Sequence, residues 1–264
     1  MNLYTDVHCH LTGGEYGDIN GLIDDITSAG VGLVITAGFD IQSSVEGKNL
    51  AEKYQNVYFT AGFHPTELKK YRQGDLETIE ELCRHPKCVA LGETGLDYHY
   101  PDTDKPLQKE MFLKQLSLAH RLNMPVQIHS RDCAEDMLEI LKANASLISQ
   151  GALLHCYSHS AEMAREFEKL GVYFSFGGTS TYKGSKRARK AVAAIDIKRI
   201  LTETDSPYLP PASKYGTFPN TPASIPEITA NLADIKGMEE AAFAEIVRQN
   251  ALRLFTKISQ RGAA

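Results

Sequence analysis

Short apolar runs rich in β-branched and aromatic residues recur along the chain, separated by stretches with helical spacing. The runs are Leu3–Val7, Gly32–Ala37, Val57–Ala61, Cys88–Gly92, Pro125–Ile128, Gly151–Leu154, Val172–Ser175 and Arg199–Thr202. Between them, Leu107–Leu122 sets Met111, Phe112, Gln115, Leu116 and Ala119 at spacings of three and four, the signature of one helix face. Ala161–Leu170 carries Met163, Ala164, Phe167 and Leu170 inside, and Ser160 is placed to cap it. Parallel strands need helical crossovers, so strands alternating with helices imply a parallel sheet. Eight such repeats within about 250 residues predict an α/β fold of the (β/α)8 TIM-barrel type. It would form a single domain over residues 1–264 with a core of about 3–257. An open doubly wound sheet is the structural alternative.

The tail departs from this rhythm. Ser206–Pro222 holds five of the 11 prolines, at 207, 210, 211, 219 and 222, and reads as a long irregular loop. Two helical segments follow, about Ser224–Ile235 and Glu239–Thr256, the second with Phe243, Ile246, Val247 and Leu254 on one stripe. They supply the last barrel helix and an extra C-terminal helix.

Composition narrows the function classes. With 42% hydrophobic and 23% charged residues over 264 positions the chain has an ordinary globular make-up, and its net charge of −5 gives no overall attraction to nucleic acid. A polyanion would have to be met by a local patch. No run approaches the ~18 apolar residues of a membrane span, and the polar start Met1–Asp6 lacks the basic and apolar regions of a signal peptide. Five cysteines without a Cys-X-X-Cys argue against a disulfide framework and for a reducing compartment, so the cytoplasm is the expected location. No obligate protein partner is evident.

The chemistry lies where the apolar runs end. In a barrel of this type active groups sit at the C-terminal ends of strands. His8 and His10 follow the first run; on an extended strand they share a face, with Cys9 on the other. The third run ends in Gly62-Phe63-His64-Pro65, the fourth in Gly92-Glu93-Thr94-Gly95-Leu96-Asp97-Tyr98. The fifth ends in His129-Ser130-Arg131-Asp132, the sixth in His155-Cys156-Tyr157-Ser158 and the eighth in Glu203-Thr204-Asp205-Ser206-Pro207. One strand-end histidine or carboxylate is commonly a satisfied polar residue or a helix cap. Imidazoles and carboxylates from six ends pointing into one crater need a cation to be compatible. The mixed donor set suits Zn, Mn, Ni or Fe, and Mg with more carboxylate or water.

These six segments, with Asn250-Ala251-Leu252-Arg253-Leu254-Phe255 near the end, resemble the TatD family of metal-dependent hydrolases in the amidohydrolase-like superfamily. The resemblance runs in order from residue 4 to about 256. It implies a TIM barrel and hydrolysis with two divalent ions, often of phosphodiesters in DNA. By position it implies His8, His10, Glu93 and Asp205 as ligands of one ion and Glu93, His129 and His155 as ligands of the second, with Glu93 bridging. His64 and Glu203 would lie close by and orient the ligands. Asp205 would position the attacking water and take its proton. Barrels of the dihydroorotase and phosphotriesterase type bridge with a carboxylated lysine; Glu93 here supplies the bridge unmodified.

The departures bear on substrate. Where many members have glycine after Ser158, this chain has His159, which reads as an exposed histidine beginning the next helix; the other reading is a group that crowds the site mouth or adds a donor there. The loop Gly216–Pro222 lacks the arginine common before Asn-X-Pro, and Phe218 could stack on a base instead. Lys183–Lys190 holds five cations in eight residues and reads as a solvated helix face, with Lys183 the exception near substrate. Arg131 suits a phosphate clamp, and Tyr157 is a further candidate for substrate contact. The expected activity is a deoxyribonuclease acting on DNA or another phosphodiester, in the 3′→5′ direction. The alternative is a carboxylic-ester or amide hydrolase such as a D-aminoacyl-tRNA deacylase. A non-enzymatic metal-binding protein is the third reading.

Overall fold

The computed structural model describes residues 3–261. Its eight strands are parallel and lie in sequence order in one sheet: β1 (Tyr4–Cys9), β2 (Val31–Thr36), β3 (Val57–Ala61), β4 (Cys88–Asp97), β5 (Val126–Arg131), β6 (Ala152–Leu154), β7 (Tyr173–Phe176) and β8 (Ile200–Thr202). The ends of β1 and β8 close the ring. Asp205 N donates to His8 O (3.0 Å), His10 N to Ser206 O (2.6 Å) and Thr202 Oγ1 to Thr5 O (2.6 Å). Asp6, fully buried, accepts from Thr204 N (3.1 Å), Thr204 Oγ1 (2.6 Å) and His8 N (3.2 Å), and so pins the two strand ends beneath the site. Burial pushes its carboxyl up to about 7 despite these bonds.

Seven helices alternate with the strands: α1 (Ile19–Ser28), α2 (Ile41–Lys53), α3 (Asp75–Cys83), α4 (Lys105–Arg121), α5 (Ala134–Ala143), α6 (Ala161–Glu168) and α7 (Lys186–Ala194). Side-chain caps start several of them, because the first turn leaves backbone donors without partners. Asp40 and Ser43 form a reciprocal box on α2, and Ser160 accepts from Met163 N at the start of α6. The helix expected from Leu107 begins two residues earlier, since Asp104 caps it and Pro106 fits the first turn. Two glutamines on the buried face of α4 tie the strand ends down. Gln115 exchanges both bonds with the Phe63 backbone (2.8 and 3.0 Å) and donates to Thr94 Oγ1 (2.6 Å), while Gln108 accepts from Asp97 N (2.9 Å).

Residues 206–221 are irregular apart from a short 3-10 turn at Ala212–Lys214, and a second such turn follows at Pro222–Ser224. They lead into α8 (Ile225–Lys236), α9 (Glu240–Leu254) and α10 (Thr256–Arg261). The single run expected over Glu239–Thr256 thus divides, because Phe255 leaves helical geometry (φ −98°, ψ 70°). Asn250 on α9 donates to the carbonyls of Ile197 and Ile200 (both 2.8 Å), fastening the C-terminal helices to β8. Among the described residues no helix is long and apolar enough to cross a membrane.

Candidate metal centre

The centre is assembled at the C-terminal mouth of the barrel, and the backbone of β4 is shaped to deliver its middle. The β4–β5 register slips between Leu91 and Thr94, which takes Glu93 out of the ladder. Gly92 and Gly95 flank it at φ +147° and +144°. A Cβ at Gly92 would lie 2.5 Å from Gln127 O, and one at Gly95 2.0 Å from His129 O. Glycine is required at both positions for β5 to approach this closely. Asp205 holds a left-handed backbone (φ 52°), an uncommon geometry that clusters at functional sites.

Oε2 of Glu93 and Oδ1 of Asp205 face the Nε2 atoms of His8 and His10. The two nitrogens are 3.3 Å apart, each is 3.6 Å from the Glu93 oxygen, and each is 3.5 Å from the Asp205 oxygen. Separations of 3.3–3.6 Å are those of donor atoms that can share one ion at the ~2.1 Å bond length of Zn²⁺ to imidazole or carboxylate. The tautomers agree. Gln127 Nε2 donates to Val7 O (2.7 Å), which turns its Oε1 toward Nδ1 of His8 (2.9 Å). Nδ1 of His10 meets Ala37 O (3.2 Å). Both rings therefore carry their proton on Nδ1, and two bare Nε2 lone pairs face each other. A cation removes that conflict, so these donors fit a divalent metal ion.

The other oxygen of Glu93 serves a second group. Oε1 lies 2.8 Å from Nε2 of His155, 3.0 Å from Nδ1 of His129 and 3.3 Å from Nε2 of His64, with the His129 and His155 atoms 3.2 Å apart. The ring backs are supported here too: Asp97 Oδ2 is 3.0 Å from Nε2 of His129, and Thr66 Oγ1 is 2.7 Å from Nδ1 of His64. Nδ1 of His155 and Oε1 of Glu203 are buried and make no hydrogen bond. Burial raises the Glu93 carboxyl, but the rings of His64, His155 and His8 outweigh it and hold it well below the usual range. Asp205 is likewise lowered, with His10 and His8 overcoming burial.

The structure thus brings His8, His10, His64, Glu93, His129, His155 and Asp205 around one carboxylate. His64 stands as near Glu93 as the other rings do, and it lines the crater. Glu203 stands apart. It is fully buried behind His155, with Nδ1 of that ring 3.8 Å from its Oε2 and Ser175 donating at 2.6 Å, and it does not line the cavity above the ligands. Burial and the neighbouring Asp205 push its carboxyl well up.

Above the ligands opens a cavity of about 330 Å³ lined by Arg131, Tyr100 and Tyr208 among others. Tyr157 is a correction: it is 4% exposed, donates to Ser160 O (2.8 Å) and packs edge-on to Phe174, which places it in the core and not at the mouth. The left-handed Cys156 (φ 46°) turns the chain inward there. His159 is a second correction. It is half-buried, not exposed, with Nε2 2.9 Å from Ser130 Oγ, while Ser160 caps α6 as expected. Lys183 is exposed and does not line the cavity; Phe218 is 62% exposed and leans on Tyr208 at its rim. Sequence reasoning missed Gln127 and the role of Asp97. An amide inside the apolar run Pro125–Ile128 was the available signal for the first.

A family model described as TatD related DNase matches residues 5–256. The chain belongs to that family. The metal-dependent hydrolase YabD of Bacillus subtilis is 37% identical over 251 residues, covering 95% of this chain and 98% of its own. The 3′-5′ ssDNA/RNA exonuclease TatD of Escherichia fergusonii is 30% identical, covering 95% and 98%. The crystal structure of YJJV, a TatD homologue from Escherichia coli K12, superposes with a TM-score of 0.90 at 30% identity, covering 97% of this chain and 99% of that one. TatD membership places the chain among the metal-dependent hydrolases.

Proposed function

We propose that this TatD-family protein is a phosphodiesterase of the deoxyribonuclease type, removing nucleotides from a DNA end with two divalent ions. One observation carries the reading: the two oxygens of Glu93 face two separate donor groups, His8, His10 and Asp205 on one side and His64, His129 and His155 on the other. A carboxylate shared between two ions is the arrangement that clamps both the attacking and leaving oxygens of an in-line displacement. When bound, the ions supply Lewis-acid stabilisation and lower the pKa of water.

The chain's own groups do the rest. Asp205 stays ionised at neutral pH and lines the crater, so its carboxylate can orient the attacking water and accept its proton. Arg131, exposed on the crater wall, can grip two phosphate oxygens at once. The supporting contacts from Gln127, Ala37 O and Asp97 keep the imidazoles in the tautomer that leaves the crater-facing nitrogen free.

The test is hydrolysis of end-labelled single-stranded DNA by chelator-stripped protein reloaded with Mg, Mn or Zn, beside Asp205→Asn. Stepwise shortening that needs the metal and fails in the variant is the expected result. Intact DNA with every ion, from protein that binds metal, would overturn the reading, and cleavage of a carboxylic ester under the same conditions would move the protein to the acyl-hydrolase alternative.

A further inference from the structure

Exposed aromatic rings are concentrated on one rim of this molecule. Among the described residues the exposed large hydrophobic side chains are Val45, Tyr100, Tyr208, Tyr215 and Phe218, and all four aromatic ones lie in the loops that follow β4 and β8. Rings left in water at the mouth of a site mark a surface that is covered by a ligand. Tyr208 lines the crater at 52% exposure with Phe218 6.2 Å away, and Tyr215, 79% exposed, meets Tyr182 edge-on at 5.7 Å. The next residue is Lys183, and α7 then adds Lys186, Arg187 and Lys190, all exposed and the last three lining one groove against the single acid Glu162. In a chain of net charge −5 this is a local cationic strip beside the aromatic rings.

The other side of the crater differs. In a ring of eight strands β4 stands opposite β8, so Tyr100 faces this sector across the metal centre. Tyr100 also borders a neighbouring cavity of about 210 Å³, floored by Pro65 and Leu107 and flanked by Asp102 and Asp104. That compartment is small, and the one cation in its lining, Lys69, is paired with Asp102 at 3.3 Å, so it suits one base and offers no strip of cations to a run of phosphates.

We propose that single-stranded nucleic acid lies across the rim, its body stacked on Tyr208, Phe218 and Tyr215 beside the α7 cations and its terminal nucleotide held at Tyr100. The proposal rests on the phosphodiesterase reading. Rings at the surface can take a base only when it is free of its own stack, so the track selects single strands over duplex, and stacking tolerates any base. The cations follow the backbone charge of the body, while the terminal nucleotide brings only the scissile phosphate, which lies at the metal centre.

The experiment compares kcat/KM for a single-stranded thymidine oligonucleotide with kcat/KM for bis(p-nitrophenyl) phosphate, a diester too small to reach the track, using the full metal-loaded chain and Tyr215→Ala/Phe218→Ala. Both side chains are largely in water, so their truncation leaves the packing intact. The ratio of the two constants is expected to fall at least fivefold, the scale of one lost base stack. A smaller fall overturns the track while leaving the phosphodiesterase reading in place. Failure of the parent protein to cleave either diester overturns both.

Discussion

Gln127 Oε1 lies 2.9 Å from Nδ1 of His8, and the same amide donates to Val7 O at 2.7 Å, so one buried side chain fixes both the strand and the tautomer of a metal-ligand ring. Gln127→Leu removes that control while keeping the volume. Metal affinity is expected to fall about 10–100-fold, the usual cost of losing the partner behind a ligand. Equilibrium titration with Zn or Mn against a competing chelator reads it. Affinity within twofold of the parent would show that His8 is held by packing alone.

Glu93 and Asp205 carry a heavier role than any residue behind the ligands. Glu93→Gln and Asp205→Asn are each expected to lower metal-loaded hydrolysis by more than the ~100-fold that marks a supporting residue. Glu93→Gln is also expected to reduce the bound metal below two ions per chain, because both donor groups share its carboxylate. The strand-end ligands are not part of the apolar core, so thermal unfolding should move little. Near-parent turnover with full metal content would remove the shared carboxylate from the mechanism in the case of Glu93→Gln, and the proton-accepting carboxylate in the case of Asp205→Asn.

Much of this was legible in the residues, and what was not has a common cause. The eight strands appear as apolar runs because strands in a closed barrel are buried on both faces. Their far ends do not: β4 continues through the polar stretch Glu93–Asp97, and β5 through Arg131, since those residues pair across the top of the barrel, Gly95 with His129 and Asp97 with Arg131. The donors themselves were visible because His, Glu and Asp at strand ends are few and chemically specific. Their supports were hidden, since Gln127 finds His8 and Asp97 finds His129 only through the register of strands far apart in sequence. Tyr157 misled for a related reason. Its neighbour His155 faces the crater, but the left-handed turn at Cys156 between them sends the ring inward.

Metal binding should be tied to proton release. Burial pushes the His129 imidazole down, but hydrogen bonds to Asp97 and Glu93 outweigh it and bring it to about 9. At pH 7 the metal-free ring is therefore protonated, and it must lose that proton to present a lone pair. Affinity should rise with pH as long as the solution lies below about 9 and level off above it, with His10, also raised, steepening the climb. Calorimetric titrations in two buffers of different ionisation enthalpy should show at least one proton released per metal-loaded chain at pH 7. No release would mean that His129 does not coordinate through the nitrogen facing Glu93.

Lys87 supplies a stability prediction independent of the site. Its ammonium is buried, with Nζ 2.6 Å from Ala51 O and Tyr54 O, 3.0 Å from Val57 O and 3.1 Å from Gln55 O. These carbonyls belong to the last turn of α2 and the connection into β3, where the helix leaves acceptors unpaired and its dipole is negative. Lys87→Met keeps the stem and deletes the donor that these four carbonyls share, of which Tyr54 O keeps a bond from Val57 N (3.3 Å). The expected loss is about 2–4 kcal/mol, since each orphaned buried acceptor carries its own desolvation cost. For a chain of this size that lowers Tm by roughly 5–12 °C. Metal content should stay at the parent value, because neither Lys87 nor any of these acceptors lines the crater. A shift under about 2 °C would mean that water replaces the ammonium at these carbonyls, which at this burial requires the α2–β3 corner to open.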